Sequence, residues 1–132
     1  MRINPPTKIY LDKSPIHGRG IFASEKISAN EIFEVCPYLD LGIPKKTTSP
    51  LLMNHRFNWP QGTSDWDLQV VGLGFSSFYN HSNDFNANWR SNIELDAFEF
   101  YSIRDIEQGE EIFLYYGGDE YWNDGRNDIK IK

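Results

Sequence analysis

The chain has 132 residues, enough for one domain with one sizeable core that needs neither metal nor disulfide staples. Apolar residues at 39% and aromatics at 15% exclude an intrinsically disordered chain. With 13 basic against 19 acidic side chains, the net charge of −6 argues against direct nucleic-acid binding, which needs a basic patch, and suits a cationic peptide partner.

Cys36 is the single cysteine, so no internal disulfide and no all-cysteine zinc cluster can form within the chain. It is expected on a strand as a small buried hydrophobe. The first dozen residues lack an apolar signal core, and no run approaches the roughly 18 apolar residues of a membrane span. A soluble intracellular protein without membrane contact is expected.

In chain order, Lys8-Ile9-Tyr10-Leu11 predicts a first strand and Gly20-Ile21-Phe22-Ala23 a second. Glu31-Ile32-Phe33-Glu34-Val35-Cys36, rich in β formers, predicts a third. Residues 42–67 hold Pro44, Pro50, Pro60 and Gly62 among many polar residues, and read as a variable insertion. A short helix is predicted over 50–59, stopped by Pro60. Leu68-Gln69-Val70-Val71 reads as a strand, and a helical turn is expected around 75–79. Further strands are predicted at 92–95, 98–101 and 111–116. No long 3.6-residue period occurs, so the fold class is mostly β with short helices.

Ile27-Ser28-Ala29-Asn30-Glu31-Ile32 echoes Ile106-Glu107-Gln108-Gly109-Glu110-Glu111. Each places a residue tolerant of positive φ before an acidic residue and an apolar strand. The echo predicts two similar turns that open strands, not a solenoid repeat.

Three constellations carry chemistry. In Gly18-Arg19-Gly20 two glycines let the backbone approach a ligand closely with its amides free to donate, although the bare pattern is more often an ordinary turn. Asn80-His81-Ser82 suits equally an Asx-turn with His81 satisfied by backbone and a ligand loop. Tyr115-Tyr116-Gly117 ends a strand with tyrosines beside a glycine turn. No His-x-x-x-His or Cys-x-x-Cys spacing suggests a metal site, and no nucleophile motif surrounds Cys36. Glu110-Glu111 and Asp119-Glu120 read as solvated strand and turn residues, not a glycosidase pair.

The order of these three, with Ile21-Phe22 after the first and Phe85-Asn86 after the second, resembles the signature set of the SET-domain protein lysine methyltransferases. The resemblance runs from about residue 8 to 122 and is greatest to compact stand-alone members, including those encoded by some large viruses. It implies several small sheets in a β-clip-like arrangement, with a pseudoknot-like C-terminal crossing braced by Asn86. It implies methyl transfer from S-adenosylmethionine to the ε-amine of a lysine in a basic protein or peptide, by direct in-line displacement, leaving S-adenosylhomocysteine. Gly18, Arg19, Gly20 and Asn80 would hold the methionine end of the cofactor, and the backbone at His81 would meet the adenine. Trp122 would cover the adenine or the lysine channel, and Phe57, Trp59 and Tyr121 would line that channel. Tyr121 matches a position that limits how many methyls are added.

Tyr116 is the catalytic residue this resemblance implies. A lysine amine, with an ordinary pKa of about 10.4, must lose its proton before attacking a sulfonium methyl. A narrow desolvated channel lowers that pKa, and a tyrosine hydroxyl can align the amine and accept weak C–H···O contacts from the methyl.

Three departures stand out. Phe85 occupies the family's usual proline position, and residues 117–121 are one longer than the commonest spacing. Cysteine-rich zinc modules that close the sites in larger members are missing, so residues 123–132, a partner or a homodimer would supply that wall. A SET-like module that binds a lysine-bearing peptide or partner without turnover is the alternative.

Overall fold

The computed structural model describes residues 2–42, 56–59 and 68–115. Their strands are β1 (Ile9–Lys13), β2 (Arg19–Ala23), β3 (Ile32–Cys36), β4 (Tyr38–Gly42), β5 (Arg56–Trp59), β6 (Leu68–Gly72), β7 (Asn80–His81), β8 (Ala87–Asn92), β9 (Ala97–Ser102) and β10 (Glu111–Leu114). A 3-10 turn, Ser76–Phe78, falls where a helical turn is expected. The strands form three small sheets with orders β1-β2-β10-β7, β3-β9-β8 and β4-β6-β5.

The strand topology of the first sheet positions the site. The hairpin β1–β2 runs in continuous antiparallel register from Ile9 opposite Ala23 to Lys13 opposite Arg19. β10, from the far end of the described chain, lies antiparallel to β2 with Ile112 opposite Ile21. Its other edge takes β7 in parallel, Phe113 opposite Asn80 and Leu114 opposite His81. With a partner on each edge β10 is an inner strand of the sheet, and its Glu111, Ile112 and Leu114 are all buried.

Two sequence expectations are corrected. The helix predicted over 50–59 is a strand at Arg56–Trp59, where Phe57 pairs with Val70 and Trp59 with Leu68. The remaining positions, 50–55, lie outside the described residues. A run this short has no decisive period, and pairing with β6 selects the extended form. The strand predicted at 92–95 instead ends at Asn92, and residues 93–96 turn. Asn92 Oδ1 accepts the Leu95 amide at 2.9 Å, and Asp96 takes φ 56°, so an Asx-type turn overrides the β formers there. The strand that pairs with β9 runs through Ala87-Asn88-Trp89-Arg90-Ser91-Asn92, whose low β propensity hides it from sequence reading.

The core is an aromatic stack. Tyr79 lies on Phe100 with centroids 4.7 Å apart, Phe100 on Phe98 at 5.9 Å, and Trp89 meets Phe98 edge-on at 4.8 Å. Part of the aromatic excess is therefore core. The paired turns predicted from the sequence echo meet one another, Ile27 and Ile106 exchanging both backbone hydrogen bonds at 2.8 Å. Asn30 and Gly109 both take positive φ, 64° and 84°.

A register shift between Ile32 and Glu34 breaks the alternation of β3, so Phe33 and Glu34 both turn inward. Glu34 Oε1 accepts the Tyr79 hydroxyl at 2.7 Å, and Oε2 accepts the Phe75 amide at 2.8 Å. Burial pushes the Glu34 carboxyl above its ordinary pKa, against the pull of those two hydrogen bonds. The folded state thus favours the protonated acid. Its contribution to stability is fullest below the unfolded pKa and is lost as pH rises through the folded one. The stability advantage of wild type over Glu34→Gln should therefore shrink as pH rises above the ordinary carboxylate range in thermal denaturation. An advantage that grows with pH would contradict this. Cys36, on β3, is buried as expected, and burial, then the Glu34 charge, lifts its thiol to about 12, which leaves no thiolate nucleophile.

Candidate active site

The loop between β1 and β2 begins as a tight turn. Ser14 donates its amide to the Gly18 carbonyl at 2.8 Å, and Ser14 Oγ accepts the amides of Ile16 and His17 at 3.0 and 3.2 Å. Gly18 closes the turn at φ 52°, a conformation that favours glycine. Gly20 is glycine for a different reason: a Cβ there would lie 2.3 Å from Glu111 Oε2 and 3.0 Å from Asn80 Nδ2. Arg19 sits between them, exposed, its guanidinium 5.2 Å from the Phe78 ring centroid.

Asn80 and His81 arrive on β7 against β10. Asn80 is 7% exposed, and its Nδ2 faces three acceptors: the His17 carbonyl at 2.9 Å, the Arg19 carbonyl at 3.2 Å and Glu111 Oε2 at 2.9 Å. Three acceptors on one side fix the orientation of the amide. Its Oδ1 meets no donor among the described residues. The His81 ring is buried, with Nε2 3.3 Å from Asn83 Oδ1, and packs at 5.3 Å against Tyr115. Burial lowers the His81 pKa, partly offset by Asn83, which favours the neutral ring at physiological pH.

The loop after β7 is fastened to β10. The Ser82 amide donates to the Leu114 carbonyl at 3.1 Å, and the Asn86 amide to the Phe113 carbonyl at 3.2 Å. Asn86, 1% exposed, adds Nδ2 to the Glu111 carbonyl at 2.9 Å and accepts the Phe113 amide on Oδ1 at 2.8 Å. The bracing role implied for Asn86 is thus built from its whole amide. Asn86→Ala would leave a buried N–H and a buried C=O unpaired and should destabilise the fold by about 3 kcal/mol in chemical denaturation. A loss below about 1 kcal/mol would contradict that account. Phe85, in place of the family's proline, packs its ring 5.4 Å from Tyr115, while Arg104 donates to the Phe85 carbonyl at 3.3 Å and to Asp84 at 3.1 Å. Packing and tethering here replace a preset φ.

Gly18, Arg19, Gly20, Asn80 and His81 therefore lie together. Phe57 and Trp59 fall on β5 of another sheet. Tyr116, Tyr121 and Trp122 lie outside the described residues, which end at exposed Tyr115. Sequence reading missed Ser14 and Glu111. The expectation of a solvated Glu111 is corrected: it is 8% exposed, accepting Ser14 Oγ on Oε1 at 2.8 Å and on Oε2 at 3.1 Å. Its partner lies 97 residues away, a pairing that no local pattern announces. Among the described residues, no three His, Cys, Asp or Glu side chains gather as a metal-ligand set, and no helix is long and apolar enough to cross a membrane.

Comparison with known proteins identifies the family. The SET domain family profile matches residues 18–117. A Schizosaccharomyces pombe protein named histone-lysine N-methyltransferase, H3 lysine-37 specific, is 29% identical over 108 residues, 80% of this chain and 69% of its own length. The crystal structure of a Plasmodium falciparum protein assigned as a histone methyltransferase superposes with a TM-score of 0.71 at 27% identity, covering 89% of this chain and 97% of that one. The Neurospora histone lysine methyltransferase DIM-5 shares the fold at a TM-score of 0.62 and 16% identity, over 84% of this chain and 52% of its own. The chain belongs to the SET-domain family, and it stands among that family's lysine methyltransferases.

Proposed function

We propose that the protein transfers a methyl group from S-adenosylmethionine to the ε-amine of a lysine in a basic protein or peptide. The observation that carries the reading is the meeting of three distant segments on one strand. Gly18-Arg19-Gly20 and Asn80-His81 flank β10, whose end carries Tyr115 and then Tyr116.

The residues present fit the cofactor. The absent Cβ at Gly20 lets the backbone lie flat beside Asn80, and the Asn80 Oδ1 offers a buried acceptor to an ammonium group. Arg19 carries a fixed charge suited to a carboxylate, held in place by Phe78. S-adenosylmethionine supplies the sulfonium methyl. Tyr116 then orients the neutral amine in line with it, while Phe57, Trp59, Tyr121 and Trp122 exclude water from the channel and the adenine. The net charge of −6 favours a cationic substrate segment, of which a histone tail is one example. A second copy of the chain would complete the wall of the site if the tail does not.

Calorimetric titration with S-adenosylmethionine tests the cofactor assignment. Asn80→Ala should weaken binding about tenfold or more, as loss of a buried hydrogen bond to a charged group does. Unchanged affinity would remove Asn80 from the site.

A further inference from the structure

We propose that Glu111 is the positioning residue of the cofactor pocket, setting the Asn80 amide and the Gly18-Arg19-Gly20 loop for the amino-acid end of S-adenosylmethionine; this rests on the methyltransferase reading above. Glu111 is buried at the centre of the first sheet, and among the described residues no Lys or Arg pairs with it. A buried carboxyl group is costly unless its oxygens are hydrogen-bonded, so the donors around Glu111 fix its geometry.

Both of its oxygens face donors. Oε1 accepts the Ser14 hydroxyl at 2.8 Å, and Oε2 accepts Asn80 Nδ2 at 2.9 Å. Ser14 Oγ has both of its acceptor positions taken by the Ile16 and His17 amides, so its hydroxyl hydrogen can only point to Glu111. An acceptor-only group is therefore required at Glu111. A glutamine there would turn an NH₂ toward either Ser14 or Asn80, where it finds another donor.

The consequence reaches the ligand through Asn80. With Nδ2 committed to Glu111, His17 and Arg19, Oδ1 is held on the opposite side as an acceptor. If the amide rotated, it would present a donor to the ligand ammonium. Glu111 also sets the height of the loop, since Gly20 passes too close to it for any side chain.

The test compares wild type with Glu111→Gln, titrating each with S-adenosylmethionine and with 5′-methylthioadenosine, which keeps the adenine and the sulfur but lacks the ammonium and carboxylate. The expected result is a loss of S-adenosylmethionine affinity of about tenfold, with methylthioadenosine affinity held within about twofold. Equal S-adenosylmethionine affinity in the two proteins overturns the proposal. So does an equal loss for both ligands, which would mark a general disturbance of the fold. Should Glu111→Gln fail to fold, Ser14→Ala gives the same reading, with a selective loss of about threefold expected and no loss contradicting it. Failure of the wild type to bind S-adenosylmethionine would instead overturn the methyltransferase reading itself, and this proposal with it.

Discussion

Replacing Tyr116 by phenylalanine is expected to lower kcat about a hundredfold or more while leaving the Kd for S-adenosylmethionine within about twofold. The separation follows from where the hydroxyl is needed. In the proposed site the methionine end of the cofactor is held by the Gly18-Arg19-Gly20 loop and Asn80, and the adenine by the backbone at His81; the Tyr116 hydroxyl belongs to neither. The proposed role of that hydroxyl is to align a neutral amine and to face the transferring methyl with a partial negative charge, and both would matter most in the transition state. Tyr115, the residue just before it, packs against His81 at 5.3 Å and Phe85 at 5.4 Å, contacts that do not involve the lost hydroxyl. Single-turnover methylation beside cofactor titration separates the two quantities. Full turnover in the variant, or lost cofactor binding, would contradict the assignment.

Gly20→Ala is expected to weaken S-adenosylmethionine binding more than tenfold and to destabilise the fold by about 1–3 kcal/mol. The added methyl would lie 2.3 Å from Glu111 Oε2 and 3.1 Å from its Cδ. Glu111 cannot swing away cheaply, because Ser14 and Asn80 both hold it. The strain would therefore pass to the loop or to the Asn80 amide, and either movement would reach the proposed cofactor site. Gly18→Ala makes the contrast: at φ 52° with nothing within 4 Å, its cost is confined to the backbone, about 1 kcal/mol. If Gly20→Ala were as mild as Gly18→Ala, the close approach at Gly20 would not govern the site.

Legibility varied with how local the cause was. Glycines that answer to backbone geometry, and strands built of β-branched or aromatic runs such as β3 and β9, show in the sequence because neighbouring residues determine them. The twin turns at Asn30 and Gly109 were legible for the same reason. β8 was not, because Ala-Asn-Trp-Arg-Ser-Asn has little β preference and takes its form from β9. Nor was β5, which takes its form from pairing with β6. In the candidate site, Gly18-Arg19-Gly20 and Asn80-His81 are legible as motifs, while the groups that hold them are not. Ser14 and Glu111 become partners only when β10 enters the sheet beside β2. Glu34 turns inward through a register shift that alternation alone would deny.

Methyl transfer to lysine can be tested directly in one incubation. Purified protein is mixed with S-adenosylmethionine and a lysine-rich basic peptide, and the peptide is mapped by tandem mass spectrometry beside a Tyr116→Phe control. The expected result is methyl groups on lysine side chains, formation of S-adenosylhomocysteine in proportion, and little of either in the control. Cofactor and peptide that bind without any methylated lysine, across a panel of basic peptides and histone proteins, would contradict it and leave a SET-domain binding module in its place.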